Sequence, residues 1–252
     1  MLNIVIPMAG RGSRFQQVGY RDPKPLIPVL GKPMIERVID NLRPAAPHRF
    51  IFICQRQHLD EHGLDARLRA LAPGAVVQAL DGVTEGAACT VLTVREHIDN
   101  GEALMIANCD QYIDASIDAY LDHLRRSELD GLIMTMTADD PKWSFAAVDG
   151  AGRVTRVAEK QVISHHATVG IYNFSRGRDF VAAADAMIAR GERVNGEFYV
   201  APVYNDLVAQ GARIGIFDIG READGMYGLG TPADLDLFLQ PQTQARLTRH
   251  LP

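Results

Sequence analysis

Apolar positions in this chain fall into short blocks separated by amphipathic stretches. Leu2, Ile4, Val5 and Ile6 stand close together and are closed by Pro7, a short β-branched run that predicts a buried strand over 2–7. Met34, Ile35, Val38, Ile39 and Leu42 recur at helical spacing and stop before Pro44, which predicts a helix. The same reading gives strands over 50–54, 75–80, 103–107 and 132–136. Between them it places helices around Leu64, Leu68 and Leu71, over 87–97 and over 117–126. Strand–helix alternation without clear hairpins predicts an α/β fold, a doubly wound, mostly parallel (mixed) sheet flanked by helices.

The second half reads differently. Segments 145–148 and 153–157 flank Asp149-Gly150-Ala151-Gly152 and predict a β-hairpin. A strand over 169–174, a helix over 180–189 and a strand over 213–217 follow. A last helix starts at Thr231-Pro232, with Thr231 suited to cap it and Pro232 to its first turn. No linker, repeat or low-complexity segment interrupts 1–240, so a single domain is expected there. Its halves are about 1–137 and 138–240, and 241–252 forms a polar, peripheral tail.

Composition narrows the classes. A formal net charge of -5 argues against a general nucleic-acid binder. No apolar window is long enough for membrane insertion, and no signal peptide is evident. The three cysteines, Cys54, Cys89 and Cys109, are odd in number and lack a Cys-x-x-Cys pattern; they predict reduced thiols and a cytoplasmic setting.

The densest chemistry follows the first strand: Met8-Ala9-Gly10-Arg11-Gly12-Ser13-Arg14-Phe15, then Pro23-Lys24-Pro25. Gly10 and Gly12 let backbone N–H groups approach an anion. Arg14 adds a guanidinium fork and Lys24 a point charge, the donors a triphosphate needs. The run is not a P-loop, which requires Gly-x-x-x-x-Gly-Lys-Ser/Thr. Nor is it a dinucleotide loop, which requires a third glycine and an immediate helix; here Gly19, Pro23, Pro25 and Pro28 predict a turn-rich stretch instead.

Asp110, in Asn108-Cys109-Asp110-Gln111 at the mouth of an apolar strand, reads as an oxygen ligand for Mg²⁺ or as a cap for the succeeding loop or helix. Glu159-Lys160 fits a solvated surface pair, Glu197 the first turn of a helix, and His165-His166 a surface feature. No Gly-x-Ser-x-Gly elbow and no Cys or Ser beside a credible base occurs. That absence favours chemistry by positioning and charge stabilisation, as in phosphoryl and nucleotidyl transfer.

These residues, in this order, resemble the nucleotidyltransferases that activate sugar-1-phosphates and related small phosphates, above all bacterial enzymes of surface-polysaccharide synthesis. The similarity spans about 1–240. It rests on Gly10, Gly12, Arg14, Pro23 and Lys24; on Gly31-Lys32-Pro33-Met34-Ile35; on Thr84-Glu85-Gly86; on Asn108-Cys109-Asp110; on Glu159-Lys160; and on Gly196-Glu197 and Gly230-Thr231-Pro232. The resemblance implies a Rossmann-like, GT-A-like nucleotidyltransferase fold with a small β-hairpin acceptor lobe.

It also implies an NTP and a phosphorylated small-molecule acceptor as partners, with pyrophosphate released. By that likeness Arg14 holds the departing phosphates, Lys24 the α-phosphate and Asp110 the Mg²⁺. Ala9, Gly10, Gly12, Gln78 and Gly86 meet the nucleotide, whose base stays open among thymine, uracil and cytosine. Glu159, Lys160 and Glu197 meet the acceptor. The chain departs from the pattern where Gly228 replaces a second metal aspartate, for which Asp224 is a weak substitute, and where Val200-Ala201-Pro202 and Phe145-Ala146 differ on the acceptor side. Two alternatives remain in view: a GT-A-type glycosyltransferase, which normally carries Asp-x-Asp, and a degenerate nucleotide-binding regulator. Oligomeric state leaves no trace in the sequence.

Overall fold

The computed structural model describes residues 1–10 and 12–250, the side chains of 246 and 248–250 aside. The strands in chain order are β1 (Leu2–Met8), β2 (Pro28–Val29), β3 (Lys32–Pro33), β4 (His48–Gln55), β5 (Val76–Leu80), β6 (Ala103–Ala107) and β7 (Gln111–Ile113). They continue as β8 (Gly131–Thr137), β9 (Ser144–Val148), β10 (Val154–Glu159), β11 (His166–Phe174), β12 (Ile214–Glu222) and β13 (Gly225–Gly228). Eleven of them form one mixed sheet ordered β5-β4-β1-β6-β11-β8-β12-β13-β7, with β9 pairing β10 and β11. The β5-β4-β1-β6 half is parallel, and β11 runs antiparallel to both β6 and β8.

The near-continuous apolar runs follow from burial on both faces. Ile4, Ile6 and Met8 of β1 and Phe50, Phe52 and Cys54 of β4 join one core, while Val5, Ile51 and Ile53 join the other. Helices α2 (Met34–Leu42), α4 (Leu64–Leu71) and α7 (Ile117–Arg126) cover the first face. Helices α5 (Ala87–Leu92), α6 (Arg95–Ile98), α8 (Gly177–Ala189) and α9 (Tyr204–Ala209) cover the second. The predicted 87–97 helix breaks at Thr93 and Val94, whose backbones leave the α-helical ladder, and Val94 turns into the core.

A third cluster bears on function. Phe15, Ile27, Val29, Met34, Tyr227, Leu229, Leu235, Phe238 and Leu247 pack together, tying the segment after β1 to α10 (Pro232–Leu239) and α11 (Pro241–His250). Contrary to the turn-rich expectation, a short helix, α1 (Ser13–Gln17), begins directly after Gly12. Phe15 explains it: its ring is 1% exposed and meets Tyr20 edge-on at 5.1 Å. Burying one such ring is worth about 1.5–3 kcal/mol, enough to fix a single helical turn.

Candidate active site

The loops after β1 and β6 leave neighbouring parallel strands at their carboxyl ends, where open α/β sheets bind ligands. Gly12 takes a left-handed conformation (φ 63°), and a Cβ there would come within 3.2 Å of the Lys24 Cβ. The loop therefore lies directly against Lys24. A Cβ at Gly10 would meet nothing within 4 Å.

Lys24 Nζ donates to Asp110 Oδ2 at 2.7 Å, with both side chains part-buried. Burial opposes the ammonium, but the neighbouring Cys109 and Asp110, and the hydrogen bond to Asp110, hold it well above the usual lysine range. The Cys109 thiol is itself pushed up by burial to about 11. Gly230 closes over this carboxylate: a Cβ at 230 would stand 2.7 Å from Asp110 Oδ2. The Leu229 N–H donates to the Asp110 carbonyl at 2.8 Å.

Three clefts meet here. The largest, about 740 Å³, is walled by Gly10, Gly12, Arg14, Lys24, Asp110 and Lys142, among others. A second, about 450 Å³, lies between Ala9, Gly10, Val83, Thr84 and Gly86. A third, about 290 Å³, lies between Trp143, Ser144, Glu159, Thr168, Tyr172 and Tyr199. Asn108 lines all three, and its side chain needs the hollow over Gly170, where a Cβ would fall 2.1 Å from Nδ2.

The structure brings together most of the residues singled out from sequence. Ala9, Gly10, Gly12, Arg14, Lys24, Gly86, Asp110 and Glu159 line one or more of these clefts. Glu159 accepts a hydrogen bond from the Ser144 hydroxyl, and burial raises its carboxyl above the ordinary range despite that bond. The Lys160 ammonium donates to Tyr199 Oη at 2.8 Å and lies 5.0 Å from that ring's centroid, so it borders the third cleft through Tyr199.

Two residues sit elsewhere than expected. Gln78 contributes to none of the three linings; its amide bonds the Ala79 carbonyl at 3.0 Å. It lies two residues, roughly 6.6 Å, behind Leu80 along β5, and Leu80 reaches the second cleft in its place. Glu197, expected toward the acceptor, lines the first and second clefts, its turn clamped by Phe198 onto Glu85 and Ala88, and it lies close enough to Glu159 and Lys160 for its charge to act on both.

Sequence reasoning missed Gln55, which binds the carbonyls of Ala9 and Gly82 and braces the glycine loop. It also missed Lys142, signalled only by a lysine beside the sole tryptophan. Asp224 sits in the β12–β13 turn, whereas Asp234 lines the first cleft next to Gly228.

The donor set discriminates between metals. Among the described residues no group of three or more His, Cys, Asp or Glu side chains converges as a metal cage. The Asp110 carboxylate, facing an open polar cleft, suits Mg²⁺, which takes one or two carboxylates plus substrate phosphates and water. It does not suit zinc, which needs three or four protein ligands.

A mixed, helix-flanked sheet with a polar cleft at its parallel carboxyl ends is the Rossmann-like architecture of the nucleotidyltransferases. The family described as nucleotidyl transferase matches residues 4–198, and the chain belongs to that family. A bifunctional protein GlmU of Burkholderia mallei is 27% identical over 222 residues, covering 84% of this chain and 46% of that protein; the chain thus spans about half the length of such relatives. A nucleoside-diphosphate-sugar pyrophosphorylase from Vibrio cholerae RC9 superposes with a TM-score of 0.81 at 27% identity, over 94% of this chain and 100% of that one. An inositol-1-phosphate CTP transferase from T. maritima shares the fold at 14% identity, with a TM-score of 0.74 over 98% of this chain and 95% of that one.

Proposed function

We propose that this protein transfers a nucleotidyl group from an NTP to a sugar-1-phosphate or another small phosphorylated metabolite, releasing pyrophosphate, in the cytoplasmic supply of surface-polysaccharide precursors. One observation carries the reading: Arg14, Lys24 and Asp110 line one cleft, which meets a second and a third at Asn108. Three compartments match the three parts to be held, a polyphosphate, a nucleoside and an acceptor. The names of the Vibrio cholerae and T. maritima proteins support the same class of reaction.

In this reading an acceptor phosphate oxygen attacks the α-phosphorus, the α–β P–O bond breaks, and pyrophosphate leaves with the bonding pair. Arg14, exposed and without an ion-pair partner among the described residues, grips the β- and γ-phosphates through its planar fork. Lys24 neutralises charge growing on the α-phosphate, held in place by Asp110. Gly10 and Gly12 offer backbone donors, while Ala9 and Gly86 shape the nucleoside side. Glu159 and Lys160 hold the acceptor's hydroxyls and phosphate. Asp110 would hold Mg²⁺, which when bound supplies further positive charge to the phosphate oxygens.

The test is a matrix of NTPs against sugar and non-sugar phosphates with Mg²⁺, read as pyrophosphate release. Acceptor-dependent release from one NTP is expected. Absence of release across the matrix, with tight binding of nucleoside-diphosphate sugars, defeats the proposal.

A further inference from the structure

We propose that Lys142 is a fourth phosphate-handling cation, placed where the two reacting phosphates meet and parked on Glu222 in the absence of ligand. The inference rests on the nucleotidyl-transfer reading above and adds to it a residue outside the Gly-x-Gly-x-Arg, Pro-Lys and Glu-Lys motifs.

Three observations carry it. First, Lys142 lines both the 740 Å³ cleft that contains Arg14, Lys24 and Asp110 and the 290 Å³ cleft that contains Glu159. Lys24 and Arg14 line only the former, and Lys160 reaches the latter only through Tyr199. Second, its ammonium is held without being buried: Nζ donates to Glu222 at 2.9 and 3.3 Å and lies 3.8 Å from Asp140 and 4.8 Å from the Trp143 ring centroid. The Lys142 and Glu222 side chains are 47% and 40% exposed. Such a pair is weak and exchanges readily for another anion. Third, Trp143 lines the same two clefts, so the cation rests on a ring that forms part of their common wall.

The electrostatics require something of this kind. An acceptor phosphate carries a charge near −2, and bringing it onto a polyphosphate drives like charges to within a few ångströms, inside the Debye length, where salt screens little of the repulsion. Lys24 is already matched by Asp110. A mobile ammonium at the junction offsets that repulsion as the acceptor oxygen forms its bond to the α-phosphorus and the α–β bond breaks. Lys142 transfers no proton; it leaves Glu222 for phosphate oxygens and returns when product departs.

Calorimetric titrations of the intact protein with inorganic tripolyphosphate and with inorganic phosphate test this without turnover. Lys142→Ala is expected to weaken both by about tenfold, Lys142→Arg to restore most of the loss, and Glu222→Gln to tighten both by releasing the ammonium. A purely structural salt bridge predicts the opposite pattern: Lys142→Ala and Glu222→Gln move together in melting temperature and neither changes anion affinity. That pattern, or a failure of the wild-type protein to bind either anion, overturns the proposal. Once an active pair is known, Lys142→Ala should also lower kcat/KM for pyrophosphate release about a hundredfold with NTP affinity changed much less. If no pair turns over, the transferase reading fails while the titrations still decide what Lys142 does.

Discussion

Lys24 and Asp110, 86 positions apart in the chain, meet at 2.7 Å and join the loop after β1 to the loop after β6. The pair is part-buried, so its loss costs stability between the surface and interior limits, on the order of 1–2 kcal/mol. In the proposed reaction its loss costs far more. Lys24→Ala should reduce pyrophosphate release by at least about a hundredfold while lowering the melting temperature by only a few degrees. Asp110→Asn, which leaves the Lys24 ammonium unbalanced, should likewise keep the fold and lose Mg²⁺-dependent turnover. Wild-type rates in Lys24→Ala remove that residue from the mechanism.

Two glycines of the site are constrained for different reasons, and substitution separates them. Gly86 holds φ at 130°, and a Cβ there would lie 2.4 Å from the Phe198 carbonyl oxygen and 2.5 Å from its nitrogen, both backbone atoms. Gly86→Ala should therefore destabilise the protein by roughly 2–4 kcal/mol, read by chemical denaturation. At Gly10 a Cβ would meet nothing within 4 Å, and the residue lines two clefts. Gly10→Ala should melt within a degree or two of wild type yet, in the proposed reaction, raise KM for the NTP about tenfold, because the methyl group would stand where that reading brings phosphate close.

The alternating pattern of the first half was legible where strands such as β1 and β4 are buried on both faces and helices such as α2 on one. Ile4 and Val5 feed opposite cores, and α2 presents Met34, Ile35, Val38, Ile39 and Leu42 inward. The elements that escaped the pattern have no local signature. Helix α3 (Arg56–His62) buries no residue fully, so no apolar period marks it. β7 and β13 are short and pair with each other across more than a hundred residues. That Arg14 and Lys24 would lie together beyond the end of β1 followed from their spacing after the first strand. Asn108 as a junction, Gln55 as a brace and Lys142 at the shared wall arise from tertiary placement. Gln78 shows the limit of the strand reading, since it stands two residues behind Leu80, the β5 residue that lines the second cleft.

The thiols should react unequally. Burial pushes Cys54 up to about 12, with smaller contributions from Cys109 and Asp65, and pushes Cys109 up to about 11. Cys89 is only half-buried, its thiol also raised by burial. At pH 8 a chromogenic disulfide such as Ellman's reagent should modify Cys89 slowly and leave Cys54 and Cys109 intact in native protein. All three free thiols should titrate in guanidinium. Rapid modification of Cys109 in the folded state would mean that the loop carrying Asp110 opens on that timescale.

Glu159 links the third cleft to pH. Burial raises its carboxyl above the ordinary glutamate value, the Ser144 hydrogen bond and the Lys160 charge oppose that rise, and Glu197 adds to it. A carboxyl whose folded pKa exceeds its unfolded one binds its proton more tightly in the native state. Its stabilising contribution is therefore complete below the ordinary value of about 4.3 and is lost as pH rises through the higher folded value. Glu159→Gln removes that loss, since the neutral amide keeps a partner for Ser144. The melting temperature of Glu159→Gln minus that of wild type should thus grow from pH 4 toward neutrality and then level off. In the proposed reaction the same variant should bind phosphorylated acceptors less tightly, because it removes the carboxylate assigned to their hydroxyls. A difference that shrinks as pH rises would mean that Ser144 and Lys160, and not desolvation, set the charge state of this carboxyl.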